Sequence, residues 1–237
     1  ELIEADTWEG TIRNIFSASP DNIMLEFTAT VDLDNPAIQQ KYEDKILYQY
    51  TLKEFREDGY SKEVKVLEAD LYPMERALQA VVLSQYRRKV AEKHRIALKP
   101  VLLMKSRSIK ESQAFKEAFD IVIRKLTPAK LKSLKKLSGG VIREAFEYFD
   151  SQNISLESLS AELRQEFDEN RCLIINSKTV TEKEQLIVNS LEDRNNEIRV
   201  VFVVDMLNEG WDVLNLFDIV RLYDTRDTRN NVLGKTT

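Results

Sequence analysis

Four short apolar runs, VLLM, CLII, VVFVV and the IV of FDIVRLYD, stand among stretches whose apolar residues recur every three or four positions. Runs of this length are strands, and strands apolar on both faces are covered on both faces. The stretches between them are helical. Ser108 with Glu111 three residues on starts one helix, whose buried face is Phe115, Phe119, Val122, Ile123 and Leu126. Thr127-Pro128 opens a second over LKSLKKL, closed by Gly139-Gly140, and VIREAFEYF and SLESLSAELRQEF read as two more. Thr181 with Glu184 caps the helix leading to RVVFVV. Strands alternating with helices imply an α/β fold: a mostly parallel sheet with helices on both faces.

Upstream, Pro73 opens a long helix at a position where its missing N–H does no harm. Met74, Leu78, Val81, Val82, Tyr86 and Val90 form its apolar stripe. Its end is crowded with Arg87, Arg88, Lys89, Lys93 and Arg95. Cations there complement the helix dipole; a phosphate-facing patch is the other reading. His94, in their midst, reads as a solvated helix-end residue. Ile23–Phe27 is expected to be a short strand ending in Thr28-Ala29-Thr30. Residues 45–68 are expected to run strand, helix, strand, with Thr51 and Glu54 forming a capping box and Gly59 stopping the helix.

The 237 residues suffice for one or two domains. A net charge of −5 argues against a generally basic nucleic-acid-coating protein, though not against a local basic groove. The lone Cys172 permits no disulfide framework and fits a reducing, cytoplasmic compartment. One cysteine and one histidine argue strongly against a zinc site. No apolar run is long enough to span a membrane, and no secretory leader is visible. The sequence opens on ELIEADTWEG rather than methionine, as though cut from something longer.

The chemistry concentrates where VVFVV runs into Asn208-Glu209-Gly210-Trp211-Asp212. Two carboxylates, an amide and an indole sit at the carboxyl end of a buried strand, where open α/β sheets bind ligands. The closing Gly234-Lys235-Thr236 imitates a phosphate loop, but the glycine needed five residues earlier is Arg229.

Read in order, the strand ends resemble motifs III, IV and V of superfamily 2 helicases and translocases. Thr28-Ala29-Thr30, the Ser106/Arg107 pair and Gly210-Trp211-Asp212 carry the likeness. YTLKEFREDGYSKEV resembles a segment of restriction-enzyme motor subunits. Over nearly its whole length the chain is similar to the restriction (Res) subunit of type III restriction enzymes, through EFTATVDL, SQYRRKVAEKH and DMLNEGWDVLNLFDIVRLYDTR. The departures are Val204 where threonine is usual, Glu209 for a frequent arginine, and Trp211 for a small aliphatic residue.

The resemblance implies two RecA-like lobes. Residues 1–35 would end the first, 36–98 would connect, and 99–237 would form most of the second. It implies ATP with Mg2+ between the lobes and DNA across both. Thr28, Ala29 and Thr30 would couple hydrolysis to strand movement. Gly210 and Asp212 would meet the nucleotide, and Ser106, Arg107, Asp205 and Asn208 the DNA. A modification methyltransferase subunit would be the partner that recognises sequence. The family's phosphate loop and magnesium-holding Asp-Glu pair would precede motif III, and its arginine motif would follow Thr237. The chain is therefore expected to be the middle of a motor and not to hydrolyse ATP alone. The competing reading is a non-catalytic α/β scaffold that uses the basic helix at Arg87–Arg95 for a protein or nucleic-acid partner. A small-molecule enzyme is disfavoured, because no nucleophile–base pair stands at a recognisable spacing.

Overall fold

The computed structural model describes residues 8–28, 31–61, 66–67, 71–175, 181–204 and 213–223. The chain divides into two units, Glu1–Val66 and Leu67–Thr228.

Among the described residues of the first unit lie three α-helices: α1 (Trp8–Ser17), α2 (Pro36–Tyr42) and α3 (Leu52–Glu57). The Asn35 side chain accepts from the Ala37 N–H at 3.0 Å, and Pro36 occupies the first helical position. The capping box at α3 is complete: Thr51 accepts from the Glu54 N–H at 3.2 Å, and Glu54 accepts from the Thr51 N–H at 2.7 Å. Gly59, at φ +81°, ends the segment as expected. The two expected strands differ. Ile23–Phe27 and the KILYQY run pair with no strand among the described residues, and Phe27 is 91% exposed. A strand alone has no partner for its N–H and C=O groups, so apolar character does not make a ladder. Most of SKEVKVLEAD lies outside the described residues.

The second unit holds α4 (Pro73–Lys93), β1 (Val101–Lys105), α5 (Ile109–Arg124), α6 (Pro128–Leu137), α7 (Gly140–Ser151) and α8 (Leu156–Glu166). They are followed by β2 (Cys172–Ile175), α9 (Glu182–Asn189), β3 (Val200–Val203) and β4 (Leu216–Arg221). The strands form one all-parallel sheet in the order β2-β3-β1-β4. Leu102 stands beside Val200 and Met104 beside Phe202, so equivalent side chains share a face. Leu102, Met104, Val200, Phe202 and Val220 meet α4 to α8, with Phe119, Phe146 and Phe149 among the helical contributors. Val101, Leu103, Val201, Val203 and Ile175 face the other way, toward Val188 of α9 and Leu191. The chain travels outward from β1 to β2 with helices on one face and returns to β3 with α9 on the other. A constant crossover hand requires that exchange.

The long helix α4 exceeds its expected stripe. Every residue from Ala77 to Gln85 is buried, because the sheet lies on one side and α6, α7 and α8 on the other. Two buried amide N–H groups find acceptors: Gln85 donates to Glu162 at 2.8 Å and Gln79 to Ser138 at 3.4 Å.

Arg199, just before β3, is fully buried. Its guanidinium donates to the Pro100 carbonyl at 3.0 Å, to Ser84 Oγ at 3.1 Å and to Glu166 at 2.6 Å, and lies 4.6 Å above the Phe167 ring. Burial pulls its pKa down to about 10 against the pull of Glu166, which leaves it charged at neutral pH. Glu166 also pairs with Arg88 and with Arg171, the latter at 3.4 Å. One carboxylate thus serves three guanidiniums, drawn from α4, the approach to β2 and the approach to β3.

Removing that carboxylate leaves a buried cation unmatched. Glu166→Ala is expected to lower unfolding free energy by about 3–5 kcal/mol. Glu169→Ala, at the exposed ion pair with Arg124, is expected to cost about 1 kcal/mol or less. Urea denaturation of the two variants measures the difference, and equal losses would refute the assignment. Burial also pushes the Cys172 thiol up to about 12. A disulfide reagent at pH 8 is therefore expected to label Cys172 only at the rate of unfolding. Rapid labelling of the native chain would contradict its buried position.

Candidate functional site

Parallel strands bring their carboxyl ends to a single edge, where an α/β sheet presents its chemistry. β1 reaches that edge at Lys105 and turns through Ser106-Arg107-Ser108 into α5. The Ser106 N–H donates to the Val203 carbonyl at 2.9 Å, tying the turn to the end of β3. The Ser106 side chain is buried, yet its hydroxyl has no hydrogen-bond partner among the described residues. Ser108 caps α5, accepting from the Glu111 N–H at 3.3 Å. The first turn of α5 thus begins at this edge, with its partly positive end toward it.

β4 contributes the rest. The Leu222 N–H donates to the Lys105 carbonyl at 2.9 Å and holds Tyr223 beside the turn. Arg107 lies 5.4 Å from the Tyr223 ring centroid and Arg221 lies 5.9 Å from it. The edge therefore carries the Ser106 hydroxyl, Lys105 and a helix start, with two guanidiniums over one aromatic ring. Hydroxyl and guanidinium donors suit phosphate oxygens, and such contacts carry no sequence information.

Of the residues singled out from sequence, Ser106 and Arg107 come together here. Thr28 is exposed in the first unit. Ala29, Thr30, Asp205, Asn208, Gly210 and Asp212 lie outside the described residues. Arg221 and Tyr223 were not singled out. Their signal was the alternation in VRLYD, which sends successive side chains to opposite faces but does not say what lies beside them.

The basic end of α4 is not a phosphate-facing patch at Arg87, Arg88 and Lys89. Arg87 pairs with Asp218, Arg88 with Glu92 and Glu166, and Lys89 with Glu162 at 3.1 Å. Burial pushes the Asp218 carboxyl up, and Arg87 opposes it. Those carboxylates stand 73 to 131 positions away or one helical turn on, so sequence proximity reveals only the cations. His94 is the exposed residue at the end of α4, as expected.

A groove of about 620 Å³ lies at the opposite, amino-terminal edge, among Lys99, Arg171, Arg199 and Asn215. Its charges are matched internally: Lys99 donates to the Asn196 carbonyl, and Glu166 holds the arginines. Among the described residues no cluster of His, Cys, Asp or Glu is arranged to hold a metal ion. No described helix is long and apolar enough to cross a membrane.

No family model and no solved structure matches the chain. A probable type III restriction-modification enzyme HindVIP Res subunit from Haemophilus influenzae is 35% identical over 248 residues, covering 94% of this chain and 48% of that protein. The chain spans about half the length of that relative. Its parallel sheet, covered on both faces, accords with the RecA-like α/β architecture that the strand-end motifs led one to expect. With similarity that runs along nearly all of it, the chain belongs to the Res subunits of type III restriction-modification enzymes.

Proposed function

We propose that this chain is the central part of the ATP-driven DNA motor of a type III restriction enzyme. It would carry the end of the first RecA-like lobe and most of the second. The observation that supports this most is the carboxyl edge of the sheet. Ser106, Arg107, Arg221 and Tyr223 stand there together, and in sequence the Asp205–Asp212 segment follows β3, whose end is tied to Ser106. The similarity to a Res subunit supplies the class of activity.

In this reading the Ser106 hydroxyl and the Arg107 guanidinium bind the DNA backbone, with Asp205 and Asn208 facing the same ligand. Gly210 and Asp212 approach ATP, with Asp212 toward its ribose hydroxyls. Thr28, Ala29 and Thr30 couple the nucleotide to movement on DNA. The buried Ser106 hydroxyl, without a partner among the described residues, fits an anion at the start of α5. No described carboxylate cluster fits Mg2+, so the ion would enter with the nucleotide and ligands from elsewhere in the parent. ATP with its metal supplies the phosphoryl-transfer energy; these residues bind and position. The partners are DNA and a modification methyltransferase subunit. The scaffold alternative loses support, since Arg87, Arg88 and Lys89 of its basic helix are already matched by carboxylates.

Two measurements test the proposal. The purified chain with ATP and Mg2+ is expected to release no phosphate above background; robust magnesium-dependent hydrolysis would overturn the division of labour. The chain is also expected to bind duplex DNA weakly, without sequence preference, and with steep salt dependence. Arg107→Ala should flatten the log–log salt slope by about 1, the signature of one lost phosphate contact. An unchanged slope would remove Arg107 from the interface.

A further inference from the structure

Between Asp120 and Glu144 the chain carries seven cations and no carboxylate, although its net charge is −5. Elsewhere its helices intersperse the two signs, as in Lys53–Glu57, Arg88–Glu92 and Lys116–Asp120. The acid-free stretch centres on α6, where Leu131 and Leu134 are buried against the core. Of the seven, Arg124 pairs with Glu169 and Lys135 with Asp150. Lys130, Lys132 and Lys136 are exposed and pair with no carboxylate among the described residues. Lys132 and Lys136 are one turn apart, a spacing at which like charges repel and oppose the helix. This contrasts with α4, whose cations at Arg87, Arg88 and Lys89 are matched.

The surface is also concave. Lys132, Lys135, Lys136 and Arg143 line a hollow of about 760 Å³ between α6 and the start of α8, with Glu157 its one acid. Lys132 and Lys136 sit about 6 Å apart along the helix axis, close enough to engage neighbouring phosphates of one strand, which carries a charge for about every 3.4 Å of duplex axis.

We propose that this α6 surface is a second docking site for the phosphate backbone of duplex DNA, separate from the carboxyl edge. It rests on the DNA-motor reading only in its choice of partner. Charge complementarity, without a hydrogen-bonding pattern aimed at base edges, makes it indifferent to sequence.

The test uses the 237-residue chain and a labelled random-sequence duplex, titrated at several salt concentrations. A Lys130→Gln, Lys132→Gln, Lys136→Gln variant keeps side-chain length and removes charge from exposed positions. Its urea midpoint reports that the fold is intact. The variant is expected to bind at least about tenfold more weakly, with a salt slope shallower by about 2 to 3. Unchanged affinity and slope, with Arg107→Ala still weakening binding, would overturn the α6 site and leave the motor reading standing. If the wild-type chain ignored duplex DNA but bound polyglutamate through these lysines, the occupant would be an acidic polypeptide, and the DNA assignment would fail.

Discussion

A charged group placed where no water reaches it governs this fold. Arg199 precedes β3 and sits among α4, α8 and the residue before β1, with Glu166, Ser84 and the Pro100 carbonyl as its partners. A buried ion pair adds little net stability over an apolar replacement, but any arrangement that separates its members leaves an uncompensated charge in a low-dielectric interior. The packing of α8 against the amino edge of the sheet is therefore not free to slide. Arg88 and Arg171 converge on the same carboxylate, so one acidic side chain sets where three segments meet. Phe167 beneath the guanidinium supplies an aromatic face to the charge.

That anchoring gives the two edges of the sheet different characters. At the amino edge the charges are matched, and Asn215 closes the region by donating to the Leu191 carbonyl at 2.7 Å. At the carboxyl edge the character differs: the buried Ser106 hydroxyl has no partner among the described residues, and Arg107 and Arg221 both lie over the Tyr223 ring. The apolar layers between the edges keep this difference in place, since four strands locked in parallel register cannot shift one end alone.

Much of the architecture was readable before any coordinates. The runs VLLM, CLII and VVFV became β1, β2 and β3, and the caps at Thr51, Ser108, Thr127 and Thr181 start helices as their side chains predict. These features are local: a hydroxyl reaches an N–H two or three residues away whatever the rest of the chain does. Ile23–Phe27 shows where local reasoning ends. Its composition is that of a strand, but pairing is supplied by a neighbour, and no described residue provides one. The stripe on α4 was legible too, whereas its burial on every side from Ala77 to Gln85 was not, because periodicity cannot count how many elements will surround a helix.

The candidate site divides along the same line. Sequence by itself determined the elements, their alternation, the parallel sheet that alternation demands, and the placing of Ser106 and Arg107 at a strand end, all consequences of residue spacing along one chain. Only the tertiary structure decided which cations have partners. The Arg87–Asp218 pair joins positions 131 residues apart and Arg199–Glu166 joins positions 33 apart, while Lys130, Lys132 and Lys136 meet no described carboxylate. Charge is a property of a residue, but neutralisation is a property of what packs beside it, and that is set when distant segments share one core.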